Sequence, residues 1–491
     1  MSHRVFIPRY ACLVSLVAFI SAAPAFTQVA YVYVQTNQGA AVALYDTVSS
    51  GRLTEVGTYP LYATSTLIGG NGSYLFAGGV DNAGTNSGET NVDSYPVESN
   101  GALGARTETI DTEDYAGSGS GCSGASIQSA KLDHTGHYMF VRIYNSEYGT
   151  CDQWQTYQIA SNGVLTYLGR EESPLIGYLE TVGARNEFSY GTSEGAGCNT
   201  NPTGPRFFPY SRNSDHVLSY DHNFTHTDPA GTPLTAYTLW ASADPFGSLA
   251  VLMGDCANTS GLPAKIASYT IDPKSGSISS SNTWSDLPTT QVNTELPANS
   301  LPPMFTSMSW SGNLLAVVGG GFQIFDFNGQ CCNAAPYIGL QRGTDIIHQA
   351  AWDNDNHFYT LDFYGGQLRV YTVTLDSFSE DPGSPVDANG GGFVVVNHTA
   401  CSAPSGFGVN VCSPGSGATV TSPVLVNAAA NVNGSIYRFE LWNGNTKLLS
   451  EDSDIMDDSV SLAPGSYQLI FDARSASGAH EYATRDITVT K

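Results

Sequence analysis

The chain has 491 residues, with 44 acidic side chains against 19 Lys and Arg and a formal net charge of −25 at pH 7. No basic block interrupts this excess, which argues against nucleic acid and against an anionic membrane surface as partner. Aromatic residues at 11% argue against disorder, while abundant Gly and Asn, period-two alternation and almost no helical period predict an all-β fold.

The N-terminus reads as an export signal. Arg4 and Arg9 precede the apolar run "ACLVSLVAFISAA", and Ala23-Pro24-Ala25 offers small residues for cleavage, so residues 1–25 are read as a signal peptide too short for a membrane anchor. No later segment reaches the length of an apolar span, so the mature chain is expected in the periplasm, at the cell surface or in the medium. Losing Cys12 leaves eight cysteines: 122, 151, 198, 256, 331, 332, 401 and 412. An even count in an oxidising compartment points to disulfides rather than metal thiolates. Cys401 and Cys412 are close enough in sequence to pair locally; the remaining connectivity is open.

From residue 29 the chain repeats one unit. A period-two aromatic strand, a polar turn with Gly, and a second short strand recur in "DSYPVESNGALG" (93–104), "QTYQIASNGVLTYLG" (155–169) and "ASYTIDPKSGSIS" (267–279). Aligned on the aromatic, copies fall at Tyr45, Tyr95, Tyr157, Tyr220, Tyr269, Phe325 and Tyr371. Several carry an earlier strand–turn–strand, as in "SAKLDHTGHYMFV" (129–141) and "QAAWDNDNHFYTL" (349–361). Four strands per unit at this spacing predict a seven-bladed β-propeller over residues 29–398. The first unit lacks an inner strand and "GGFVVVN" (391–397) is a spare one, so the late strand is expected to complete the first blade. The fourth unit is irregular, with "GCNTNPTGPRFFPYSRNSD" (197–215) read as an insertion. Residues 400–417 read as a linker and the first strand of a C-terminal domain, and residues 418–491 as an Ig-like β-sandwich, with an Asn-Gly hairpin at "WNGN" (442–445).

The "YQIASNGVL" and "YPVESNGAL" strands, the "LDHTGHYMFV" turn and the closing "FVVVN" resemble the lactonase-type propellers related to 6-phosphogluconolactonase. The tail resembles Ig-like modules appended to exported bacterial propellers. The resemblance implies an open central channel with a ligand site at its mouth and, in the family, lactone hydrolysis by an Arg-His pair on an inner strand with an Asn-Glu after the next strand. His348 in "IIHQAAWDND" occupies that His position, Asp362 in "YTLDF" stands where the Asn would, Phe363 replaces the Glu, and Arg342 lies upstream, displaced. His348, Asp362 and Arg342 are therefore the candidate catalytic residues, as base, orienting carboxylate and oxyanion donor.

Other signals point elsewhere. "GTSEG" (191–195) fits Gly-x-Ser-x-Gly but lacks the following helix of a nucleophile elbow. "DNDN" (353–356) sits where each unit turns and lacks the ligand spacing of a calcium loop. His134 and His137 flank a turn. No cofactor and no metal are expected. The departures from the family pattern favour a non-catalytic monomer that binds a carbohydrate, protein or envelope ligand over a divergent sugar lactonase; scarce Arg and Lys argue against a phosphorylated ligand.

Overall fold

In the computed structural model, the described residues run from 28 to 490, excepting 37–40, 49–51, 82–89, 116–121, 146–150, 173–177, 183–187, 193–206, 213–216, 244–247, 258–263, 293–303, 310–313, 328–333, 354–356, 363–365, 374–376, 389–391, 398–400, 452–454 and shorter pieces of one or two residues. Residues 1–25, read above as a signal peptide, and Ser193, Cys198, Cys331, Cys332, His134, His137 and Phe363 lie outside them. What is described is all-β, with a short 3-10 turn at Trp284–Asp286. None of its helices is long and apolar enough to cross a membrane.

The strands form antiparallel meanders in chain order. The first sheet runs Phe393–Asn397, Gln28–Gln35, Ala41–Val48, Leu53–Pro60. The second runs Ala63–Gly70, Tyr74–Asp81, Thr90–Pro96, Glu108–Asp111, and the third Ser126–Leu132, Tyr138–Asn145, Cys151–Ile159, Leu165–Glu172. The fourth is Tyr178–Val182, Phe188–Thr192, Phe207–Arg212, Leu218–Tyr220. The fifth is Ala236–Ala243, Ser248–Asp255, Lys265–Ile271, Ile278–Ser279, with His226–Thr227 added in parallel at its edge. The next two units share one long strand, Ala335–Trp352, which pairs Leu314–Asp326 through its first half and His357–Asp362 through its second.

The expected pairing of the two ends is present. Tyr31 faces Val396, Val32 faces Val395 and Tyr33 faces Val394, so the late strand supplies the first strand of the first sheet. The first strands then touch in succession: Phe393–Asn397 lies against Ala63–Gly70, that against Ser126–Leu132, and so on to Ala335–Trp352, which returns to Phe393–Asn397. Apolar clusters follow the same cycle. Leu44 and Tyr33 pack on Leu67 and Leu75, Phe76 and Val92 on Val141 and Ile143, and Val32 and Leu53 of the first sheet on Tyr359 and Leu368 of the last.

The repeated turn has a physical explanation in these seams. Asn162 Oδ1 accepts from Val164 N, and Gly163 follows at φ 78°. That left-handed conformation suits Gly, and the missing Cβ lets the Tyr74 ring of the second sheet lie against it. Ser94 Oγ of the same sheet donates to Gly163 O at 2.9 Å. Gly101 repeats this with Tyr31 against it and Tyr33 OH donating to its carbonyl at 2.7 Å; Gly276 repeats it with Phe188 and with Tyr190 OH at 2.6 Å. Each turn glycine is thus a socket for an aromatic of the preceding sheet. The earlier turn is fixed by its own first residue: Asn71 Oδ1 accepts from Tyr74 N, Asp133 Oδ1 from Tyr138 N, Ser309 Oγ from Leu314 N and Asp353 Oδ1 from His357 N. Asp353 is therefore a turn residue, and the described residues hold no cluster of potential metal ligands. Asn71 Nδ2 also donates to Gly136 O at 3.1 Å, which ties this turn to that of the next sheet.

One alignment is corrected. Tyr220 lies on the fourth strand of its sheet, and the third-strand aromatic is Tyr210, inside the segment read as an insertion. Pro209 within that strand and the missing Gly-x-Leu turn hide the repeat there, while Tyr210 takes the buried place at 1% exposure.

Residues 408–490 form a three-stranded sheet, Gly408–Ser413, Val424–Asn431 and Ile455–Val460, and a five-stranded one. Their shared core includes Val426, Phe439, Leu441, Met456, Leu469 and Phe471. Cys401 is bonded to Cys412 and Cys122 to Cys151, and Cys256 is also in a disulfide.

Gly163→Ala is expected to cost about 3 kcal/mol, from the left-handed backbone and overlap with Tyr74. Gly231→Ala, at φ 81° with open space around it, should cost only about 1 kcal/mol. Denaturant midpoints check the difference; equal losses would show that the aromatic socket does not hold the seam.

Candidate functional site

His348 stands on the second half of Ala335–Trp352. Ile347 pairs with Asp362 and Gln349 with Leu361, so His348 is the extra residue of a β-bulge facing that step. A bulge re-aims a side chain out of the alternation that would bury it. The imidazole is half-buried, hydrogen-bonded to the Leu361 backbone, with the Asp362 carboxylate acting on it. Burial lowers its pKa below the usual histidine value, and Asp362 and the Leu361 bond offset this only in part. His348 is therefore neutral at pH 7, which is the state of a proton acceptor.

Neighbouring Gln349 does structural work. Its Nε2 donates to Phe393 O at 2.7 Å and its Oε1 accepts from Phe393 N at 2.8 Å, clamping the closing strand beside the site.

Arg342 is directed elsewhere. It sits between the two halves of the long strand at φ 51°, and its Nη2 meets Glu380 Oε2 at 2.5 Å. Glu380 also receives Arg369 Nη1 at 2.9 Å and Ser384 Oγ at 3.1 Å. Burial lowers the Arg342 pKa, but its hydrogen bond to Glu380, with the Tyr371 hydroxyl nearby, outweighs this and raises the value overall. Burial likewise raises that of Glu380, and its two arginines and Ser384 outweigh it, so the carboxylate stays ionised. The structure thus brings His348 and Asp362 together and draws Arg342 to the outer strand Phe378–Glu380.

The ladders hold a series that the sequence does not announce. The first strands of four other sheets carry a one-residue bulge against their neighbour, at Ile68, Gln128, Glu180 and Leu239. His348 is the corresponding residue of its own strand, so Gln128 and Glu180 are polar residues at equivalent backbone positions. The stretches "SIQSAKL", "YLETV" and "DIIHQAAW" each carry several polar residues, so nothing in the local sequence singles out the bulge position. Gln128 is exposed, its Nε2 2.8 Å from Ser126 Oγ.

No family model and no curated protein matches the chain. Among solved structures it is similar to two proteins provisionally assigned as 6-phosphogluconolactonases. One, from Bacteroides uniformis, has 12% identity over 94% of this chain and 97% of that one, with a TM-score of 0.32. The other, from Bacteroides fragilis, has 10% identity over 94% and 96%, also at 0.32. The fibronectin(III)-like modules of Clostridium thermocellum CbhA align at 20% identity over 16% of this chain and 93% of that one, with a TM-score of 0.15.

His348 should titrate below the usual histidine value of about 6.5 in an NMR pH series. Because its folded pKa is the lower one, its contribution to stability is complete above the unfolded value and is lost as pH falls through the folded one. Asp362→Asn removes an influence that raises the pKa and should lower it further. A rise in that variant would contradict the placement.

Proposed function

We propose that this chain is an exported, non-catalytic binding protein. In this reading residues 29–398 are a seven-bladed β-propeller, 400–417 a linker with the first strand of the next domain, and 418–491 an Ig-like sandwich. A carbohydrate or protein ligand sits at the mouth of the central channel. The cyclic succession of first strands and apolar seams supports the propeller. The disulfides Cys122–Cys151 and Cys401–Cys412 support an oxidising destination.

The observation that carries binding over hydrolysis is the ion pair of Arg342 with Glu380. Opening a lactone develops negative charge on the carbonyl oxygen, which needs a donor aimed at it beside the base. Here the candidate cation is spent on Glu380. His348, Asp362 and Gln128 offer hydrogen bonds of both senses, suited to hydroxyl or amide groups.

A divergent sugar lactonase is the second reading, favoured by a neutral imidazole beside a carboxylate. In it His348 activates water and Asp362 orients the ring. A lactone panel run beside a glycan array separates the two. The binding reading expects no turnover, with ligand capture weakened by His348→Ala. Turnover that falls roughly a hundredfold in His348→Ala, the scale of losing a general base, would overturn it in favour of the lactonase.

A further inference from the structure

The C-terminal module carries a second surface. In its five-stranded sheet, Ile436–Asn443, Gly465–Ser475 and His480–Thr490 lie side by side. Phe439, Leu441, Leu469, Phe471 and Ala473 point into the core, so alternate residues form the outer face. The ladders set that face in rows. Glu440 pairs with Asp472, which pairs with Tyr482; one step along, Arg438 pairs with Arg474, which pairs with His480. One step the other way, Trp442 pairs with Ile470.

This arrangement conflicts with ordinary sheet stability. Two carboxylates stand directly opposite each other, and two guanidiniums likewise, where like charges destabilise a cross-strand pair. The conflict is offset along the strands rather than removed. Arg474 Nη2 meets Asp472 Oδ2 at 2.5 Å, and Lys447 Nζ and Trp442 Nε1 both reach Glu440 at 3.2 Å. The carboxylates are nearly enclosed, with side-chain exposures of 4% for Glu440 and 11% for Asp472. Asp472 Oδ1 is buried and accepts no hydrogen bond, with His480 Nδ1 3.4 Å away. Tyr482 beside it is 64% exposed and stacks with His480.

A local arrangement that the fold does not need marks a site. The cations Arg438, Lys447 and Arg474, 44% to 47% exposed and already paired with the enclosed carboxylates, leave little attraction for an ion but present fixed donors. A sugar hydroxyl accepts from such donors, and the C–H face of a hexose packs on an aromatic ring. Trp442 and Tyr482 are two strands and two residues apart, roughly 12 Å between Cα atoms, with Asp472 and Ile470 between them. We propose that this face is a carbohydrate platform, separate from the propeller site, that takes consecutive hexose units of a neutral polysaccharide.

Affinity electrophoresis of the full chain in gels containing β-glucan, β-mannan or galactomannan tests this, with polygalacturonate as acidic comparator. At least one neutral polymer should retard the protein. Tyr482→Ala and Trp442→Ala should each weaken retardation about tenfold, the scale of losing one anchoring aromatic. Tyr482→Phe, which keeps the ring, and His348→Ala, which leaves this face intact, should match the wild type. Tyr482 lies outside the core, so its loss does not remove buried packing. No retardation by any neutral polymer, retardation by polygalacturonate alone, or retardation insensitive to both alanine variants would overturn the proposal. Loss in His348→Ala with Tyr482→Ala unaffected would also overturn it and assign the ligand to the other site.

Discussion

A strand at the edge of a sheet leaves a row of N–H and C=O groups unpaired, and Gln28–Gln35 is such a strand until the far end of the repeat region reaches it. Phe393–Asn397 supplies the partner, register by register, and Gln35 N extends the ladder to Gly392 O at 2.8 Å. Every seam between consecutive sheets depends on this pairing. A succession of sheets that touch only their neighbours gains its final interface when the last meets the first. Gln349 holds the closing strand by both its N–H and its C=O, so the sheet that carries His348 also fastens the ends.

The same seam holds a buried polar network. Asp353 Oδ2 meets His357 Nδ1 at 2.7 Å and accepts from Tyr359 OH at 2.9 Å, while Tyr359 OH lies 3.1 Å from Thr47 Oγ1 of the first sheet. All four residues are almost fully enclosed, where an unmatched polar group is costly and a matched one fixes a unique packing. Thr47 and Tyr359 are 312 residues apart in sequence, so this bond forms only in the closed arrangement. Elsewhere the seams rely on aromatic-to-glycine contacts. The framework is thus rigid around first strands whose bulges turn single side chains out of register, and the candidate site lies on one of those bulges.

Much of this was legible because the constraints are local. An Asn-Gly or Ser-Gly turn flanked by alternating apolar residues shows the hairpin and its period, and the missing and spare strands at the two ends show the closure. The aromatic socket was only half visible: the glycine appears in the motif, but its partner sits about ninety residues away for Gly163 and Phe188 precedes Gly276 by a similar span. Tyr210 was hidden by Pro209. The bulges were not legible, because one extra residue changes the ladder without changing composition. Nor was the fate of Arg342, since Glu380 is 38 residues further along and nothing local announces the pair. On the tail, alternation revealed the strands, but the opposition of Glu440 to Asp472 depends on the cross-strand register.

The closing ladder is tested most directly by where the chain is cut. A protein ending at Thr399 retains the strand, and one ending at Gly390 lacks it; their urea transitions, followed by near-ultraviolet circular dichroism, should differ. The account predicts a single cooperative transition for the longer form and loss of fixed tertiary signal for the shorter. Matching transitions in the two would contradict closure by residues 393–397.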